Sequence, residues 1–220
     1  MAEGNFGDTL LYLVALIFSI VFHEVSHGFV ADRHGDPTAR LMGRLTLNPV
    51  PHIDPWGSII LPGILLLGHS PFLFGYAKPV PVDVRNLRNP RLDGIKVALA
   101  GPFSNILLGL LCAIAFGVTW TFLGEGHALA RLFLLGMQVN CVLAVFNLIP
   151  VPPLDGSWLL EHTLRGSAYN AYRAVRPYGM FLLIGILIFP PISNLLIGRP
   201  VHYVLGLMFL CSQWIASLLS

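Results

Sequence analysis

The sequence predicts an all-α polytopic membrane protein of about five full transmembrane helices, plus a re-entrant or interfacial hairpin with some β character. Three observations carry this. Of 220 residues, 55% are hydrophobic and only 11% charged, whereas a soluble domain carries about 25% charged residues. Apolar runs long enough to cross a bilayer alternate with polar, proline-rich stretches. The first run also contains His23, Glu24 and His27 in the order H-E-x-x-H, and such polar groups inside hydrocarbon are costly unless they serve a purpose.

Thr9 to Val30 is the first expected span, and with no cleavage site behind it this run is expected to remain as an anchor. Ala31 to Asp54 leaves the membrane, carrying Arg33, Asp36-Pro37, Arg40, Arg44 and Asn48-Pro49. Trp56 to Tyr76 is apolar again but interrupted by Pro62-Gly63 and Gly68. Basic residues flank it on both sides, so a full crossing would place one basic group outside. A hairpin that dips in and returns obeys the charge rule. It is tolerable at that depth only if buried in protein or lining a polar cavity. The following Tyr76-Ala77-Lys78-Pro79-Val80-Pro81-Val82 is held extended by its prolines and either offers a strand edge or acts as a plain linker. Further spans are expected at Ile95–Phe122, Leu129–Ile149, Val175–Ile197 and Val201–Leu219. With the N-terminus outside, only Arg131 and Arg199 of the thirteen Lys and Arg fall outside. The three cysteines lie in apolar runs at unrelated spacings and are expected to act as small buried hydrophobes. A net charge of +2 excludes a nucleic-acid partner as the organising feature; the bilayer takes that place.

On a helix, His23 and His27 share one face and can reach one metal ion, with Glu24 beside them to polarise water. A catalytic zinc site takes a third protein ligand. His127 and His202 are expected on the far side of the membrane. His34, His52, His69 and His162 are the other histidines outside the first helix. The better source is Asn147-Leu148-Ile149-Pro150-Val151-Pro152-Pro153-Leu154-Asp155-Gly156. There prolines stop a span, and Asp155 precedes a glycine that permits a sharp turn. His23, His27 and Asp155 are then the expected ligands of one zinc ion, with Glu24 as general base. Asn147 can donate to an oxyanion or to substrate, and Asn105 can do so from the neighbouring span. An interhelical hydrogen bond is the alternative role for each. Ser26 is expected to bond back to Phe22. A transmembrane helix must unwind to be cut, so residues 76–82, in particular Tyr76, Ala77, Lys78, Pro79 and Val80, are candidate substrate contacts by strand addition.

These features point to peptide-bond hydrolysis in transmembrane substrates near the cytoplasmic face. Two rivals remain at this stage. A metal transporter would be expected to place ionisable groups on several spans or to repeat the arrangement. A non-proteolytic scaffold would have no need of Glu24.

The chain resembles the site-2 protease family of intramembrane zinc metalloproteases. The likeness rests on His23-Glu24-Val25-Ser26-His27, on Gly101-Pro102 with Asn105, and on Asn147-Leu148-x-Pro150-x-x-Pro153-x-Asp155-Gly156. It implies zinc on the residues matching His23, His27 and Asp155, Glu24 as base, and membrane-spanning protein or peptide substrates. It also implies a re-entrant β-like loop around Phe74 to Lys78 and a substrate or oxyanion role for Asn147. The short prokaryotic branch, lacking PDZ or CBS domains, is the nearest likeness and implies a multi-pass protein of the cell membrane with its active site toward the cytoplasm. One unit is expected over 1–220, with a catalytic core at about 9–165 and C-terminal helices at about 174–219.

Overall fold

The computed structural model describes residues 6–60, 64, 67–68, 77–124 and 126–219. Among them no strand forms, and the architecture is helical throughout. Helix α1 spans Phe6–Arg33, α2 Thr38–Leu41, α3 Pro90–Leu123 and α4 Ala128–Asn147. They are followed by α5 Asp155–Thr163, α6 Gly166–Val175, α7 Gly179–Ile188, α8 Pro190–Ser193 and α9 Arg199–Leu219. Five helical runs are long and apolar enough to cross a membrane: Phe6–Arg33, Pro90–Leu123, Ala128–Asn147, Gly166–Ile188 and Pro190–Leu219. Most of their surface is apolar and faces outward, as a lipid solvent requires.

Helix α3 is the central post, packing against α1, α4, α5 and α9. Small residues permit this. A side chain at Gly109 would meet Met208, and one at Gly117 would meet the Ser212 carbonyl, so α9 lies against α3 at close range. Ala113, Met137, Cys141 and Met208 close the core between α3, α4 and α9. Cys141 is fully buried and all three cysteines are free, as their apolar settings predict.

The expected single span Val175–Ile197 does not form as one helix. Phe189 adopts extended backbone (φ −93°, ψ 102°), because the residue before a proline is driven out of the helical region. Pro190 and Pro191 then open a new helical run. Gly179 sits against Pro152, Leu183 packs with Ile149 and Leu154, and Ile197 returns to that same cluster. Residues 179–197 therefore form a hairpin with both ends beside α5. Helix α9 runs in the same direction as α3, with Met208 beside Gly109 and Ser212 beside Gly117. Arg199, expected on the far side with His202, instead opens α9 near the α5 end. Only Arg131 is left at the opposite end, where it pairs with Asp8.

The hairpin expected at 56–76 lies largely outside the described residues, as do Tyr76 and most of the β-like loop around Phe74 to Lys78. Its first residues, Pro55–Ile60, form a π-helical stretch. The chain re-emerges as an extended strap, 77–83, laid across the end of α1. Lys78 N–H donates to the His52 carbonyl (2.9 Å), and the Arg44 guanidinium donates to the carbonyls of Lys78 (2.8 Å) and Pro79 (3.3 Å). Val80 presses onto Gly28, where any β-carbon would stand 2.6 Å from it. Asp36, fully buried, accepts from the N–H of Asp83 (2.7 Å), from Asn86 Nδ2 (3.0 Å) and from the N–H and hydroxyl of Thr38. Burial pushes the Asp36 carboxyl up, but hydrogen bonds from Asn86, Thr38 and Asp83 outweigh this and hold it below its ordinary range.

Candidate metal centre

His23 and His27 lie on the buried side of α1, ten and six residues before its end, roughly 15 and 9 Å along the axis. Their ring edges are brought together by helical spacing, with the two Nε2 atoms 3.1 Å apart. The third group arrives from α5. The prolines after Asn147 end α4, Leu154 enters α5 in extended backbone, and Asp155 is the first helical residue. Gly156 is required here by close approach, not by the sharp turn expected of it: a β-carbon would stand 2.2 Å from the Leu148 carbonyl and 2.5 Å from that of Ile149. The first turn of α5 thus folds directly against the chain leaving α4, and Asp155 Oδ2 comes to 3.0 Å from His23 Nε2 and 3.3 Å from His27 Nε2.

The protons in this cluster can be assigned from its outer contacts. His23 Nδ1 lies 2.6 Å from Asn105 Oδ1, and His27 Nδ1 lies 2.7 Å from the Val97 carbonyl. Both partners accept only, so each Nδ1 carries a hydrogen, and in the neutral form each ring turns its Nε2 lone pair inward. Asp155 Oδ2 is buried and receives no hydrogen bond. With both rings neutral, three acceptor atoms, all within 4.8 Å of one another, converge with no proton between them. That arrangement is repulsive unless a cation sits among them. Zinc bound at about 2.0–2.1 Å in tetrahedral geometry places its donors roughly 3.3 Å apart, close to the 3.0, 3.1 and 3.3 Å found. Two neutral imidazoles and one carboxylate are a zinc-type donor set.

Gly101 in α3 faces the same point. A β-carbon there would lie 2.4 Å from His27 Nε2 and 2.6 Å from His23 Nε2, so its missing side chain keeps the space between the imidazoles open. Glu24 is half-buried, and its Oε2 accepts from Val80 N–H at 2.8 Å. Pro79 and Pro81 have no N–H, so the sole backbone donor between Lys78 and Val82 is spent on Glu24.

The remaining expected site residues are distributed as follows. Asn105 is fully buried, and its amide hydrogens go to Asn140 Oδ1 (2.7 Å) and the Ser19 carbonyl (3.3 Å), leaving neither for a substrate. Asn147, the last residue of α4, is half-buried and donates to the Leu143 carbonyl at 3.0 Å. Ala77 is half-buried, Lys78 and Pro79 are exposed, and Val80 is buried. Ser26 bonds back to Phe22 (2.7 Å). His34, His52 and His162 each engage a backbone carbonyl and stay outside the cluster. Sequence reasoning passed over Arg44, Asp36, Asn140 and Ser19. A polar residue within an apolar span was the available signal for Asn140.

Comparison with known proteins places the chain in a family. The family model for peptidase family M50 matches residues 11–130 and 124–189. Three relatives are described as "Putative zinc metalloprotease". YwhC of Bacillus subtilis is 36% identical over 81% of this chain and 80% of its own length. Rip2 of Mycolicibacterium smegmatis is 31% identical over 86% and 70% respectively. MJ0611 of Methanocaldococcus jannaschii is 27% identical over 69% and 70%. No solved structure matches significantly. The chain belongs to peptidase family M50, the site-2 protease family, and is a zinc-dependent metalloprotease with multiple membrane-spanning helices.

Proposed function

We propose that this protein is an intramembrane endopeptidase that hydrolyses peptide bonds of transmembrane substrates near the cytoplasmic face, with one zinc ion held by His23, His27 and Asp155. The observation that carries the reading is the convergence of His23 Nε2, His27 Nε2 and Asp155 Oδ2 to within 3.0–3.3 Å of one another. When bound there, zinc supplies Lewis acidity, polarising a carbonyl and making water acidic enough to react near neutral pH.

The chain supplies the rest. Val80 N–H fixes Glu24 Oε2, which leaves Oε1 to take a proton from the attacking water and pass it to the leaving nitrogen as the C–N bond breaks. Asn147 sits where α4 ends and, on turning from the Leu143 carbonyl, donates to the carbonyl oxygen as charge develops on it. Tyr76, Ala77 and the exposed side chains of Lys78 and Pro79 meet the unwound substrate, while Val80 serves through its N–H. All Lys and Arg except Arg131 gather at the site's end of the molecule. The charge rule turns that end toward the cytoplasm and leaves the N-terminus outside.

The decisive comparison is native protein against Glu24→Gln, using a panel of membrane-spanning peptides in detergent, with zinc content measured on both. The glutamine can still accept from Val80 N–H, so the variant is expected to keep its zinc and lose about 10²–10⁴-fold in cleavage. Equal cleavage by both proteins, or zinc retained with no cleavage by either, would refute the mechanism.

A further inference from the structure

We infer that Asn140 and Ser19 are positioning residues that decide which nitrogen of His23 carries the proton, acting through Asn105 from the next layer of the bundle. The inference rests on the reading of His23 as a zinc ligand. Ser19, Asn105 and Asn140 come from α1, α3 and α4 and are 0–1% exposed, so no solvent can reassign their hydrogen bonds.

The direction of every bond in the chain is dictated by three backbone carbonyls, which accept and never donate. Ser19 Oγ donates to the Ala15 carbonyl (2.7 Å), so it must accept from Asn140 Nδ2 (2.8 Å). The second hydrogen on Asn140 Nδ2 goes to the Gly136 carbonyl (2.8 Å). Asn140 therefore presents Oδ1 to Asn105, which must answer with Nδ2 (2.7 Å). The other Nδ2 hydrogen of Asn105 points to the Ser19 carbonyl (3.3 Å). Only Oδ1 of Asn105 remains for His23, so His23 must donate from Nδ1, which in the neutral ring leaves Nε2 bare.

Turning the Asn105 amide over would set its oxygen against both the Ser19 carbonyl and Asn140 Oδ1. It would also stabilise the wrong imidazole form, with the hydrogen on Nε2 aimed at the metal position. Of the two contacts that prevent this, the one to Asn140 is much the shorter. Removing it leaves the tautomer resting on a 3.3 Å bond. Ser19 acts one step further back, since Asn140 retains the Gly136 carbonyl when the hydroxyl is gone.

The test reads the His23 ring nitrogens by ¹⁵N NMR in metal-free protein in micelles, beside zinc affinity by chelator competition. Native protein is expected to show neutral His23 protonated at Nδ1. Asn140→Leu is expected to show a mixture with the Nε2-protonated form and an affinity weaker by about 10–100-fold, the range for removing an outer support of a metal ligand. Ser19→Ala should lie between the two, and Ser19→Thr, which keeps the hydroxyl, should match native protein. A purely structural role would lower yield or melting temperature and leave the tautomer and affinity of folded protein unchanged. That result overturns the inference, as does native His23 protonated at Nε2. Should Asn140→Leu not fold, the native spectrum and Ser19→Ala carry the test. Failure of the native protein to bind zinc would instead strike the proposed function, because the tautomer is read without metal.

Discussion

Gly101→Ala probes the proposed metal site without replacing any of its ligands. The added methyl carbon would lie 2.4 Å from His27 Nε2, 2.5 Å from His23 Cε1 and 2.6 Å from His23 Nε2. Ordinary carbon–nitrogen contact begins near 3.5 Å, so the rings must retreat by about 1 Å, several times the tolerance of roughly 0.2 Å on metal–ligand distances. Zinc affinity should fall more than about 100-fold, beyond what loss of an outer support costs, equivalent to at least about 2.7 kcal/mol. The fold should survive. Overpacking costs about 1–3 kcal/mol, and replacing glycine by alanine within a helix returns about 1 kcal/mol. Gly109→Ala is the matched control on the same helix, since its methyl would press only on the flexible end of Met208 (2.8 Å) and would meet Asn140 Cβ at an ordinary contact distance of 3.4 Å. Chelator competition on the three purified proteins decides the matter. Zinc held by Gly101→Ala within tenfold of native protein would refute the placement of the metal between the two imidazoles.

Two further outcomes follow from the strap across α1. Arg44→Leu removes the donor to the Lys78 and Pro79 carbonyls. It should cost about 1–3 kcal/mol of stability and lower cleavage about tenfold with zinc content unchanged; Arg44→Lys should rescue poorly, because an ammonium cannot reproduce the fixed fork of the guanidinium. Parallel cleavage and metal assays check this. Asp36 gives a pH signature: its folded carboxyl is depressed, so its contribution is fully present above the ordinary carboxyl pKa of about 4 and is lost as pH falls through the folded value. The melting-temperature advantage of native protein over Asp36→Asn should hold constant above about pH 5 and shrink below about pH 4; an advantage unchanged to about pH 3 would refute it.

The helical spans and the meeting of His23, His27 and Asp155 were legible for different reasons. A bilayer imposes length and apolarity on each crossing, so α1, α3 and α4 stand out from composition alone. Helical spacing places His23 beside His27 without any tertiary knowledge. Asp155 was reachable because prolines mark where a span ends, although the job of Gly156 was not: its neighbour is the carbonyl of Leu148, a contact that exists only once α5 folds back. The fourth span was misread because hydropathy runs unbroken through Phe189-Pro190-Pro191, while the backbone restriction at Phe189 does not enter a hydropathy average.

What the sequence conceals is whether a polar atom is already engaged. Asn105 and Asn147 have the same amide and both lie on membrane helices, so the same two roles had to be entertained for each. The distinction lies in partners 86 and 35 positions away for Asn105, at Ser19 and Asn140, against a partner four residues back for Asn147. An amide bonded across two helices is fixed as part of the frame, whereas one resting on its own helix is released by a single side-chain rotation. The same reasoning separates the two oxygens of Glu24: Oε2 is held by the strap through Val80 N–H, which makes Oε1 the freer atom for the base role proposed above.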